Sequence, residues 1–138
     1  ELSGADLECG AHAPADADAA RDLIRAGAGH GPLHNNCSGK HVGMLATAKH
    51  LGWPTRGYTA PDHPVQTRLK TLLAEMSGHD LARAPRGVDG CGIPVYAMPL
   101  HALALAAARL AQPDDLAPAR TEAAWRVIAA MAGQTLGP

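Results

Sequence analysis

Apolar positions recur at helical spacing in five stretches of the chain, separated by intervals dense in glycine and proline. In the first, Ala20, Leu23, Ile24 and Gly27 fall at i, i+3, i+4 and i+7, predicting a helix over Asp16–Ala26. Asp16 or Asp18 caps it, and Gly27, Gly29, Gly31 and Pro32 stop it. A second helix is expected from near Ser38 to about Leu51, closed by Gly52 with Pro54 just beyond. A third opens at Asp62-His63-Pro64-Val65 with Asp62 as cap, carries Val65, Leu69, Leu72, Leu73 and Met76 on one stripe, and ends at Gly78. Leu100–Leu110 and Thr121–Ala132 predict two alanine-rich helices around a Pro113–Pro118 turn, with Trp125, Ile128 and Met131 on the buried side of the last. Arg83–Pro99 is too often broken by Pro85, Gly87, Gly90, Gly92 and Pro94 for a helix, whereas Val88, Ile93, Val95 and Tyr96 suit short strands. Glu1–Pro14 reads as loop, although Leu2 and Leu7 fit the tail of an earlier element. The expected class is mostly α with short β pieces, an α+β fold.

A length of 138 residues suits a single domain with one core, and 46% hydrophobic residues exclude wholesale disorder. With no Phe, two Trp and two Tyr, burial per residue is modest and the helices must pack closely. A net charge of −1 and a pI near 6.8 give no electrostatic case for nucleic acid or an acidic membrane surface. The longest apolar stretch, Leu100–Ala111, carries His101 and Arg109 and is too short to span a bilayer. Cys9, Cys37 and Cys91 lie far apart in a chain without a secretory leader pattern, which predicts a reducing cytoplasm. The opening at Glu1 without methionine, and the end in Gly137-Pro138 just after a helical pattern, suggest a piece of something longer.

Polar chemistry is concentrated in His34-Asn35-Asn36-Cys37-Ser38-Gly39-Lys40-His41. With a helix starting near Ser38, Cys37 stands at or beside the N-cap and Lys40 in the first turn, so the two side chains face one spot. Unpaired N–H groups and the positive end of the helix dipole favour an anion there, a thiolate included, and disfavour a protonated Lys40. A thiolate and a neutral amine facing one point fit a metal site, a nucleophile with its base, or an anion pocket. A second concentration, Asp89-Gly90-Cys91-Gly92-Ile93-Pro94, holds a carboxylate and a thiol in a glycine turn. Cys37, Lys40 and Cys91 together supply the three protein ligands, with a fourth position open, that a catalytic zinc uses.

Other chemistries fit the spacing less well. Cys9-Gly10-Ala11-His12 lacks a second metal-ligand pair. Gly39-Lys40 resembles the end of a phosphate-binding loop, but its first glycine is replaced by His34. No serine has a lysine three residues on, and Thr67 with Lys70 sits mid-helix. A Cys37–His41 nucleophile and base pair at i, i+4 stays open as a thiol hydrolase, as does a non-catalytic helical metal-binding or interaction domain.

Several blocks in order carry a resemblance: Leu33-His34-Asn35-Asn36-Cys37-Ser38-Gly39-Lys40-His41 with Gly43-Met44, Gly52-Trp53-Pro54, Asp62-His63-Pro64-Val65-Gln66, Asp89-Gly90-Cys91-Gly92-Ile93-Pro94 and Ala97-Met98-Pro99-Leu100. From Leu7 onward the chain resembles the rhizobial-type L-asparaginases, the L-asparaginase II family. The resemblance implies an amidohydrolase that converts L-asparagine and water to L-aspartate and ammonia, on a serine-hydrolase fold similar to β-lactamases and penicillin-binding proteins. It implies zinc held by Cys37, Lys40 and Cys91, with Asp89, Gly90, Asn36 and His41 lining or supporting the substrate pocket. Family members are longer and carry a Ser-x-x-Lys pair upstream of the part matched here. The expectation is therefore a central segment holding the metal half of an active site, without catalytic residues of its own and inactive alone. Its partner is a small-molecule substrate, with homodimerisation or self-association expected where missing strands leave edges and apolar surface exposed.

Overall fold

The computed structural model describes residues 2–133; Glu1 and residues 134–138, which include the Gly137–Pro138 end, lie outside the described residues. Five α-helices, two short 3-10 helices and one two-stranded sheet form among the described residues, an α+β arrangement that is mostly helical. The chain divides into two compact units, Glu1–Leu69 with Pro85–Tyr96, and Lys70–Ala84 with Ala97–Pro138.

In the first unit, α1 (Ala17–Arg25) is capped by Asp16, whose carboxylate accepts the Ala19 N–H at 2.8 Å. Its predicted stripe forms but stays largely uncovered: Ala20 and Leu23 are half-buried and Ile24 is 77% exposed. Helix α2 (Ser38–His50) buries His41, Met44, Leu45 and Ala48, one face at i, i+3, i+4 and i+7. Gly52 ends it at φ +68°, and the Trp53 N–H turns back to the Ala48 carbonyl at 2.8 Å. Helix α3 (Pro64–Ser77) begins one residue later than a cap at Asp62 requires. The His63 carbonyl accepts the Thr67 N–H at 3.0 Å and its ring Nδ1 the Val65 N–H at 3.2 Å, so the histidine does the capping.

Strands β1 (Arg86–Val88) and β2 (Pro94–Tyr96) pair antiparallel, with Val88 opposite Pro94 and Arg86 opposite Tyr96. Beneath them lies one core of Leu7, Cys9, Met44, Leu45, Ala48, Tyr58, Val65, Cys91 and Ile93, with Leu2, Cys37 and Trp53 packed against it. Each large aliphatic side chain buried there contributes roughly 1.5–3 kcal/mol. The segment Leu7–Cys9, read from sequence as loop, is thus tied into the centre of this unit.

In the second unit, α4 (Leu100–Ala111) packs on α5 (Pro118–Gly133), and Thr121 Oγ1 donates to the Pro113 carbonyl at 2.9 Å across the intervening turn. The side of α5 predicted to be buried is not the buried one: Trp125 is 48% and Met131 70% exposed, Ile128 is half-buried, and Ala124 takes the core position. Small residues at the contact let helices approach closely, and here the buried positions are Ala102 and Ala124. Arg109 ties the end of α3 into this unit, donating to the Glu75 and Met76 carbonyls at 3.1 Å each and to Asp115 at 2.9 Å. No helix among the described residues is long and apolar enough to cross a membrane.

Candidate functional site

The hairpin turn between β1 and β2 is built on Asp89. Its Oδ1 accepts the backbone N–H groups of Cys91 at 3.0 Å and Ile93 at 3.2 Å and the Cys91 thiol at 3.1 Å. The backbone closes the same turn, Asp89 N–H to the Ile93 carbonyl at 3.0 Å, and Gly92 supplies the required φ of +91°. The other oxygen, Oδ2, accepts Lys40 Nζ from the first turn of α2 at 3.0 Å. Burial works against the charged carboxylate, yet the hydrogen bonds from the Cys91 thiol, the Lys40 ammonium and the two backbone N–H groups outweigh it and hold Asp89 at about 2.

Lys40 is accordingly held protonated. Desolvation pulls its amine down, but hydrogen bonds to Asp89 and Cys91 and their charges pull harder, for a net upward shift. In the metal-free chain a full carboxylate charge in hydrogen-bond contact outweighs the half charge of a helix dipole, which alone disfavours a protonated Lys40. The Cys91 thiol is pushed up by burial, by Asp89 and by a hydrogen bond with Cys37, against the opposing pull of Lys40. Cys37 is the N-cap residue of α2, its own N–H donating to Asn35 Oδ1 at 2.8 Å. Cys37, Lys40, Asp89 and Cys91 therefore come together. Cys9, distant in sequence, also reaches this core, with its thiol donating to the Pro32 carbonyl at 3.5 Å and pushed up by burial. All three cysteines are free thiols.

His41 is fully buried beside this cluster, its Nδ1 2.7 Å from the Tyr58 hydroxyl and its ring edge-on to the tyrosine at 5.5 Å. Burial lowers its pKa, as does the neighbouring Lys40 charge. Its Nε2 is buried with no hydrogen-bond partner, so His41 makes no hydrogen bond to Cys37 of the kind a nucleophile and base pair needs. Gly90 is exposed at the tip of the turn, and the conformation that demands glycine belongs to Gly92. Asn36 is exposed at the other side of Cys37, where its N–H donates to His12 Nε2 at 3.2 Å. Among the described residues no group of three or more His, Cys, Asp or Glu side chains is placed to hold a metal ion; the cluster's third nitrogen or sulfur donor is the Lys40 amine.

Three contributors escaped the sequence reading. Asn35 is buried and links Cys37 to the Gly10 carbonyl through its amide, at 2.7 Å from that carbonyl, and an asparagine two residues before a helix N-cap was a legible signal for such a turn. Tyr58, read only as cover for α2, and Glu8, which holds it, had no local signal.

A mostly helical α+β protein with a thiol, amine and carboxylate cluster between a helix N-terminus and a hairpin turn is the class defined so far. The model of the L-asparaginase II family matches residues 1–135, and the chain belongs to that family, whose activity is asparaginase-type amide hydrolysis. No curated protein matches the chain.

Proposed function

We propose that this chain forms the substrate-facing and ion-holding part of an L-asparaginase, the enzyme that converts L-asparagine and water to L-aspartate and ammonia. The observation that carries the reading is the 3.0 Å contact of Lys40 with Asp89, which joins the two polar blocks of the sequence across 49 positions. Asp89, ionised and with a quarter of its side chain exposed, suits the α-ammonium of an amino-acid substrate. In the same reading Asn36, Gly90 and His41 line or support the substrate pocket.

Zinc belongs to the reading, with Cys37, Lys40 and Cys91 as the residues that would hold it. Their chemistry fits: Lys40 Nζ and the Cys91 thiol meet on the two oxygens of Asp89, and Cys37 is the N-cap of the helix that carries Lys40. A zinc ion held there would supply Lewis-acid stabilisation of developing charge. The chain's own part is to give up three protons, two from thiols and one from the Lys40 ammonium, and Asp89 stands against Lys40 and Cys91 as the nearest carboxylate to steer that release. The nucleophile of the reading is a Ser-x-x-Lys pair on a serine-hydrolase fold of the β-lactamase and penicillin-binding protein kind. No serine in these 138 residues has a lysine three on, so the chain alone is expected not to turn over asparagine. Three free thiols accord with a reducing, cytoplasmic setting.

The test is zinc stoichiometry of the reduced protein by elemental analysis, together with calorimetric binding of L-asparagine. One equivalent of zinc in the wild type and none in Cys91→Ser is expected, with asparagine binding weakened at least tenfold by Asp89→Asn. Stoichiometric zinc retained in Cys91→Ser removes Cys91 from the ligand set. Unchanged asparagine binding in Asp89→Asn removes Asp89 from the pocket.

A further inference from the structure

The buried hydrogen bonds around His41 do not balance unless its proton is in one particular place. Tyr58 is fully buried, and its hydroxyl oxygen accepts the Glu8 backbone N–H at 2.8 Å. Its own O–H must therefore be donated, and the acceptor within reach is His41 Nδ1 at 2.7 Å. An Nδ1–H proton would instead point a second donor at that oxygen and leave the tyrosine O–H homeless in the core, at a cost of about 1–3 kcal/mol. The imidazole proton then lies on Nε2, the buried atom that has no partner. The tyrosine is fixed in turn by Glu8, whose carboxylate accepts the Gly57 N–H at 2.6 Å and the Thr59 hydroxyl at 2.8 Å, on either side of it.

We propose that Tyr58, clamped by Glu8, is a positioning residue that locks His41 as the Nε2–H tautomer, so that His41 enters the site as a hydrogen-bond donor to an oxygen of the bound amino acid and not as a base. The identity of that acceptor rests on the asparaginase reading; the tautomer does not. A buried donor without a partner calls for an explanation, and an oxygen of the bound substrate would supply one. The same assignment bars the Cys37 thiol from passing its proton to Nδ1, since the lone pair there is already occupied by the tyrosine.

The experiment is long-range proton–nitrogen correlation on the imidazoles of the uniformly labelled, reduced chain, first free and then titrated with L-asparagine. Expected are a pyridine-like nitrogen at Nδ1, a pyrrole-like nitrogen at Nε2, and a Tyr58 hydroxyl proton slow enough in exchange to correlate with Nδ1. The reverse pattern in the free protein overturns the proposal. In Tyr58→Phe, with folding checked by the dispersion of its backbone amides, the two nitrogens are expected to move towards the averaged shifts of mixed tautomers; a pure Nε2–H form persisting in that folded variant overturns Tyr58 as the cause. Where the variant does not fold, the hydroxyl correlation in wild type carries the decision, its absence counting against the proposal. On titration the Nε2 resonance is expected to shift. If Asp89 and Asn36 respond and Nε2 does not, the donor role is lost while the asparaginase reading stands. If no resonance responds, that reading fails and the donor role with it, although the tautomer lock is still decided by the free-protein spectrum.

Discussion

Lys40 and Asp89 meet at 3.0 Å although 49 residues separate them, and this contact fastens the start of α2 to the β-hairpin turn. The lysine side chain is 39% and the carboxylate 26% exposed, so the charge attraction itself is screened and worth little. More is at stake in the turn, where the same carboxylate accepts two backbone N–H groups and a thiol. Asp89→Asn keeps an oxygen for the backbone N–H groups but removes the charge, and is expected to cost about 1–2 kcal/mol. A lower urea midpoint at unchanged slope is the result to look for.

The pH dependence of that contribution has a definite sign. Asp89 is depressed to about 2 from the ordinary 3.8, so its stabilisation is fully present above the unfolded value and is lost as pH falls through the folded one. The stake is at most about 2 kcal/mol, expended between roughly pH 4 and pH 2. Lys40 acts in the opposite direction: its amine is raised above 10.5, so its contribution is complete below that value and fades as pH rises through the higher folded one. Urea midpoints of the metal-free protein in acid should therefore fall more steeply for wild type than for Asp89→Asn. Parallel curves for the two would contradict the shift.

What could be read from sequence was what is decided locally. The start of α2 beside Cys37 and its stop at Gly52 depend on neighbours within a few residues, and both stand where the spacing put them. So does the break of Arg83–Pro99 into short strands. The burial of α5 was misjudged because residue size marked Trp125 and Met131 for the core, whereas close packing selected Ala124. The ion pair of Lys40 was hidden for a related reason: the helix dipole is visible in the sequence, but the carboxylate that faces the amine arrives from a hairpin 49 positions away. The Glu8–Tyr58–His41 chain spans 50 and then 17 residues and leaves no periodic trace at all.

Two glycines, one within α2 and one just past its end, should respond oppositely to alanine. Gly43 lies on the exposed face of α2 with open space where a Cβ would go, so Gly43→Ala is expected to stabilise by about 0.5–1 kcal/mol through lower chain entropy. Gly52 has equally open space but sits at φ +68°, where a side chain is disfavoured, so Gly52→Ala is expected to destabilise by roughly 1–2 kcal/mol. Thermal melts of the two variants moving in opposite directions would separate backbone strain from sterics, since neither site is crowded.

The second unit leaves large apolar side chains facing outward: Leu100, Leu103, Trp125, Val127 and Met131 are all substantially exposed. Scattered singly such residues need no explanation, but here they come from two helices that pack on each other. Hiding part of that surface in a second copy of the chain is favourable at about 25 cal/mol per Å², a gain that grows with protein concentration by mass action. Sedimentation velocity is therefore expected to show a weight-average mass that rises with loading concentration. The double variant Leu103→Glu with Met131→Glu, placing charge on exposed positions of α4 and α5, should lower that rise while leaving the helical circular dichroism intact. A wild-type chain that sediments as a monomer at every concentration would mean that these side chains are adequately solvated as they stand.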